Sequence, residues 1–152
     1  MPRNRTAIAM MLTVGAIGSL LSCSGPSVHD ITITARDYAF IVPATVPAGL
    51  TAFHFVNRGT VPHEVQFFRF NLGLPATTAR SYLATGSVPD SVADRSGSVL
   101  IAPPGDSVRE ALLVDLRAGE RYALLCQFHD SAGKPQHTQL GMIGLIEVRY
   151  VP

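Results

Sequence analysis

Three kinds of side chain able to grip a soft metal ion gather toward the C-terminus of the chain. Cys126 closes the apolar run Tyr122-Ala123-Leu124-Leu125-Cys126, a polar stretch with His129, Asp130 and His137 follows, and then comes Leu140-Gly141-Met142-Ile143-Gly144. A thiolate, imidazoles and a thioether thus occur within 17 residues. That donor set suits copper, which takes both soft sulfur and nitrogen ligands. Zinc sites more often draw on several Cys or His in short pairs, and neither C-x-x-C nor H-x-x-x-H is present. The competing account is a buried cysteine, exposed histidines and a core methionine.

A second segment carries chemistry far upstream: Asn57-Arg58-Gly59-Thr60-Val61-Pro62-His63-Glu64-Val65. Pro62 ends a turn and restricts the backbone on entry to His63, which places the imidazole at the start of a strand. By itself a His beside a Glu reads as a surface ion pair. His54 falls inside an alternating strand as a partly exposed packing residue, and His29 falls in an N-terminal tether and is solvated. Asp130 caps the extended loop by accepting nearby backbone N–H groups.

The first 22 residues read as an export signal rather than as structure. Arg3 and Arg5 form its positive region, and 6–22 is an uncharged stretch, interrupted by Gly and Ser and short for a membrane span. It ends in Leu20-Leu21-Ser22-Cys23, which resembles the lipobox of bacterial lipoproteins, where cleavage precedes the cysteine and the thiol is acylated. The division expected is a signal peptide over 1–22, a tether over 23–30 and one domain over 31–152. Acyl chains on Cys23 would anchor the protein to a membrane without spanning it, each buried methylene contributing about 0.8 kcal/mol. The location expected is the periplasmic or cell-surface face of a bacterial membrane. Cys126 is then left unpaired in an oxidising compartment. Three accounts fit it: a disulfide to Cys23 if no lipid is attached, an inert buried thiol, or a metal ligand.

The elements that must position these groups are strands. Apolar residues alternate in short runs punctuated by Gly and Pro, which predicts strands over 31–34, 51–56, 61–70, 98–102, 108–116, 122–127 and 142–148. Seven strands of this kind make two packed sheets. The polar segment 71–97 interrupts the rhythm as a long insertion, with a helical turn or two over 77–83. Loops of that length in a small domain cover a site or contact a partner.

Composition narrows the function classes. The chain has 152 residues, a net charge of +1, 15% charged and 47% apolar residues, which is one globular domain. Its single Lys, Lys134, and its scattered Arg give no basic face to follow a phosphate backbone, so nucleic acid is not a partner. No His-x-His pair exists for a trinuclear copper centre, and G-x-S-x-G, H-E-x-x-H and the phosphate-loop motif are absent. A Cys–His nucleophilic pair leaves the Gly141-Met142 ending unexplained. An enzyme is not expected.

Taken together, the two segments resemble the cupredoxins, small blue-copper proteins such as plastocyanin and pseudoazurin. The resemblance covers 31–148 and rests on Asn57-x-Gly59-x-x-Pro62-His63, on Cys126 with Tyr122 four residues before it, and on His137-Thr138-Gln139-Leu140-Gly141-Met142-Ile143-Gly144. It implies an all-β, Greek-key β-sandwich of about seven strands holding one type 1 copper ion. His63, Cys126 and His137 would be its equatorial ligands and Met142 the weak axial one. It also implies a monomer that carries single electrons between redox protein partners. The alternatives are a copper capture or delivery protein without redox turnover, and a metal-free interaction module. Two departures stand out. Ten residues separate Cys126 from His137 where the family has two to four, and His129 lies at the shorter spacing as the alternative ligand, but with Lys134 where the methionine would follow. Glu64 occupies the place of an Asn that holds the loop and the sulfur in plastocyanin-like members, where a carboxylate would either stabilise the oxidised metal or disrupt the site.

Overall fold

A computed structural model describes residues 27–85 and 87–151, with 95–97 described by backbone alone. Its elements in chain order are β1 (His29–Arg36), β2 (Ala39–Ile41), β3 (Thr45–Pro47), β4 (Gly49–Asn57), β5 (His63–Phe70), α1 (Ala76–Ala84), β6 (Ala93–Ala102), β7 (Leu112–Leu116), β8 (Arg121–Leu125), a 3₁₀ turn (His137–Leu140) and β9 (Ile143–Arg149). Alternation explains β1 directly. Ile31, Ile33 and Ala35 are buried while Thr32 and Arg36 are exposed, the period of two that puts one face on a core.

The strands form a four-stranded sheet in the order β2-β1-β4-β7 and a five-stranded sheet in the order β3-β9-β8-β5-β6. β1 runs parallel to β4 and β3 parallel to β9, the other pairs being antiparallel. The chain changes sheet after β2, β3, β4, β6 and β7, a Greek-key sandwich. Between the sheets lie Ile33, Phe53, Phe55, Val65, Phe67, Leu116, Leu124 and Ile146. Each such side chain contributes roughly 1.5–3 kcal/mol by leaving water.

All seven expected strands are present, and β2 and β3 are additional. Three residues are too few to display an alternating pattern, so these two pairings come from their neighbours rather than from their own sequence. β1 starts at His29, so His29 and Asp30 belong to the sheet instead of a solvated tether, and His29 is half-buried. His54 Nε2–H donates a hydrogen bond to Asp30 Oδ1 at 2.9 Å. β6 begins at Ala93, inside the expected insertion, whereas β7 begins only at Leu112, after the exposed pair Arg109 and Glu110.

The insertion has a structural task. Ala79 and Leu83, one turn apart on α1, pack on Phe68, Phe70, Ala123 and Leu125 and cover the outer face of the five-stranded sheet. β8 is therefore buried on both sides, Tyr122 and Leu124 toward the inter-sheet core and Ala123 and Leu125 toward α1. That is why its sequence from Tyr122 to Leu125 is continuously apolar and not alternating. No helix among the described residues is long and apolar enough to cross a membrane.

Tyr122 also supplies a pH-dependent contribution. Its ring is buried and its hydroxyl donates to Glu120 Oε2 at 2.9 Å. Burial, together with that bond and the Glu120 charge, pushes the phenol well above its ordinary value. A raised folded-state pKa contributes stability that is complete below the unfolded value, about 10, and is lost as pH rises beyond it, by at most about 1.4 kcal/mol per pH unit. Urea unfolding between pH 8 and 11 should therefore show a steeper loss for the wild type than for Tyr122→Phe. Equal slopes would remove this account.

Candidate metal centre

Register brings the first two donors together. His63 opens β5 and Cys126 follows the last residue of β8, and these antiparallel neighbours pair Gln66 with Leu125. His137 begins the 3₁₀ turn, and Gly141, with φ of 99°, ends it in the left-handed conformation that glycine adopts without strain and hands the chain on to Met142. His63, Cys126 and His137 are all fully buried at this end of the sandwich.

Their donor atoms form a tight triangle. His63 Nδ1 lies 3.2 Å from His137 Nδ1, and Cys126 Sγ lies 3.9 and 3.4 Å from the two nitrogens. Three atoms with these separations lie on a circle of radius about 2.0 Å. Metal–nitrogen bonds of about 2.0–2.1 Å and metal–thiolate bonds of about 2.3 Å have that scale. The chemistry of the donors agrees. His63 Nε2 meets Asp37 Oδ1 at 2.7 Å and His137 Nε2 meets Asp130 Oδ1 at 3.0 Å. A carboxylate only accepts, so both Nε2 atoms carry the proton and both Nδ1 atoms present lone pairs. Two lone pairs and a sulfur aimed at one another suit a cation at their centre.

The electrostatics point the same way. Burial pushes the Cys126 thiol up, partly offset by the Glu64 and Phe128 N–H groups that donate to its sulfur. Burial also lowers His63, against the pull of Asp37. Burial raises the Asp37 carboxyl, but hydrogen bonds from the Thr60 hydroxyl and N–H and from His63 outweigh it and bring it down to about 2. Asp130 is held below the usual carboxylate range chiefly by the Tyr38 hydroxyl.

The upstream loop is built around Asn57. Its buried amide donates to Val61 O at 2.8 Å and Ala102 O at 3.0 Å, and its Oδ1 accepts the Gly59 N–H at 2.8 Å. Gly59 lies against the Asp37–His63 hydrogen bond, where a Cβ would collide with Asp37 Oδ1. Glu64 is buried and is not an ion-pair partner of His63; its Oε1 accepts Gln127 N–H at 3.0 Å and Gln66 Nε2 at 2.9 Å. It ties β5 to the chain just after Cys126.

The long spacing between Cys126 and His137 is absorbed by a looped-out hairpin. His129 and Gln136 form an antiparallel bridge, His137 N–H donates to Phe128 O at 2.8 Å, and Thr138 N–H and Oγ1 donate to Cys126 O at 2.8 and 2.6 Å. The chain thus returns to its starting point before it supplies His137. His129 is exposed, with Nδ1 bonded to Lys134 O, and stays outside the triad. Met142 is fully buried in the core cluster that also holds Cys126, and its N–H donates to His137 O at 2.9 Å. Asp130 does not cap its loop through backbone N–H groups as expected: one carboxylate oxygen takes His137 and the other takes the Tyr38 hydroxyl at 2.5 Å. Asp37, Tyr38 and Thr60 gave no signal in the sequence, because nothing in their spacing sets them apart from other loop residues. Cys23 and the signal segment 1–22 lie outside the described residues, and Cys126 is a free thiol.

No family model matches the chain, and no curated protein matches it. Among solved structures, dithionite-reduced auracyanin from the photosynthetic bacterium Roseiflexus castenholzii aligns at 25% identity and a TM-score of 0.50, over 84% of this chain and 100% of that one. Reduced rusticyanin, a protein from Thiobacillus ferrooxidans, aligns at 21% identity and a TM-score of 0.50, over 80% and 79% of the two chains. With its two sheets, its strand order and, at one end, a buried His63–Cys126–His137 triad that could hold a metal ion, the chain is a β-sandwich of the cupredoxin fold.

Proposed function

We propose that this protein is a type 1 copper carrier of single electrons, exported and anchored by lipid on Cys23, and that it exchanges electrons with periplasmic or cell-surface redox proteins as a monomer. The observation that carries the reading is the triangle of two Nδ1 atoms and one Sγ on a radius of about 2.0 Å. His63, Cys126 and His137 would hold the ion, with Met142 as the weak axial ligand. Copper bound there supplies a one-electron couple. The chain's part is to keep three donors fixed by β5, β8 and the looped-out hairpin so that little moves when the charge changes. Both imidazoles are buried with their outer nitrogens occupied, which suits a carrier rather than an enzyme that must admit a substrate. Arg3, Arg5, the uncharged 6–22 and Leu20-Leu21-Ser22-Cys23 support export and anchoring.

Adding Cu(II) to the purified protein should produce an intense thiolate-to-copper absorption band. His137→Ala should remove that band and His129→Ala should leave it, since His129 is exposed and outside the triad. A colourless wild type would overturn the electron-carrier reading. Loss of the band in His129→Ala with retention in His137→Ala would transfer the ligand role.

A further inference from the structure

Each of the two buried imidazoles ends on its own carboxylate, and each carboxylate is in turn held by a third group. Asp37 Oδ1 takes His63 Nε2, while Asp37 Oδ2 accepts the Thr60 N–H at 2.8 Å and the Thr60 hydroxyl at 2.6 Å. Asp130 Oδ1 takes His137 Nε2, while Oδ2 accepts the Tyr38 hydroxyl. Tyr38 packs its ring on both imidazoles, tilted at 4.8 Å from His137 and edge-on at 6.2 Å from His63. The two clamps come from different places. Asp37 sits next to Tyr38 in the turn between β1 and β2, and Asp130 comes from the hairpin looped out between Cys126 and His137.

We infer that Asp37 and Asp130 are positioning residues that lock both histidines in the metal-binding tautomer and bias the centre toward divalent copper. The inference rests on the copper reading above and deepens it. A carboxylate behind a metal-bound imidazole fixes its orientation and raises its basicity. Its charge also acts through space. Cu(II) carries one unit of charge more than Cu(I), so every nearby anion favours the oxidised ion. When the centre takes up an electron from a one-electron donor, no bond to these residues forms or breaks and no proton is needed. The carboxylates act only on the balance between the two charge states. Both side chains are partly open to water, 24% and 35% exposed, which limits the effect of each to on the order of tenfold in the ratio of Cu(II) to Cu(I) affinity.

The test uses the full chain, the variants Asp37→Asn, Asp130→Asn and the double variant for the potential, and Asp37→Ala for the tautomer. Asn removes the charge and keeps one oxygen to accept the Nε2 proton; at Asp130 its amide N–H can donate to the Tyr38 oxygen, whereas at Asp37 the Thr60 N–H loses its acceptor, so Asp130→Asn is the cleaner of the two variants. In the copper-loaded proteins the thiolate band should persist. The Cu(II) to Cu(I) affinity ratio should fall about tenfold per substitution, read as a midpoint potential raised by about 59 mV each time for a one-electron couple. In the metal-free proteins, nitrogen NMR of the imidazoles should show the Nε2–H tautomer for His63 and His137 in the wild type, and a mixture at His63 alone in Asp37→Ala. A midpoint unchanged in both Asn variants, or an Nδ1–H tautomer in the wild type, would overturn the inference while the band leaves the copper reading intact. A wild type that forms no band would overturn that reading and this inference with it.

Discussion

Replacing Cys126 by Ser is expected to abolish the visible band of the copper-loaded protein and to weaken copper binding more than about 100-fold, since loss of mere outer partners of metal ligands already costs 10–100-fold. A serine hydroxyl keeps its proton at neutral pH and is a hard donor, so it removes the one strong sulfur bond from the triangle. The substitution is conservative in volume at a fully buried position. The Glu64 N–H that now donates to the sulfur at 3.5 Å can donate to the hydroxyl instead. The metal-free fold should therefore lose no more than about 1–2 kcal/mol. Absorption spectra and calorimetric copper titration of the variant check the first statement, and urea unfolding checks the second. Full retention of the band would remove Cys126 from the ligand set.

Asn57→Ala is expected to be the most destabilising single change in the site region, by about 3–5 kcal/mol. It strands three backbone groups at once: the buried carbonyl of Ala102 and the half-buried carbonyl of Val61 and N–H of Gly59. Against a total of about 5–15 kcal/mol for a domain, that is a large fraction. Asn57→Asp should do no better. It keeps the acceptor for Gly59 but turns an oxygen toward two carbonyls that need a donor. Because the loop from Asn57 leads into His63, copper binding should be lost at temperatures where the wild type still binds. Urea unfolding of the metal-free proteins, with copper titration alongside, measures both effects; a loss below about 1 kcal/mol would mean that water replaces the amide.

Much of the sandwich was legible because strand formation leaves a local trace. Ile31, Ile33 and Ala35 alternate with polar neighbours, and Phe53 and Phe55 do so after the Pro47-Ala48-Gly49 turn. β2 and β3 left none, being three residues each. β8 read as apolar throughout, and only the packing of α1 on its outer side explains why. The insertion 71–97 was visible as a break in rhythm, but its use as a cover for the sheet, with its end feeding β6, depends on contacts its own composition does not specify.

The candidate donors were legible for a related reason. A thiol, an imidazole and a thioether are recognisable one residue at a time, and Asn57, Gly59 and Pro62 mark the turn that must precede His63. The choice between His129 and His137 depended on the family resemblance, because the interval from Cys126 favoured the nearer residue and the interval onward to Met142 the farther one. The hairpin bridge between His129 and Gln136 resolves the geometry: it shortens an interval of eleven positions so that His137 arrives beside Cys126 while His129 faces solvent.

Local chemistry, then, was written in the chain: which atoms can bind a soft cation, which stretches extend, where the turns fall. The separations of 3.2, 3.4 and 3.9 Å among the donors were decided by the pairing of β5 with β8 and by the return of a hairpin. So were the partners Asp37 and Asp130, which lie 26 and 7 positions from the histidines they hold. A side chain's type is a property of one residue, whereas its tautomer and its distance from another donor depend on groups that only folding brings within hydrogen-bonding reach.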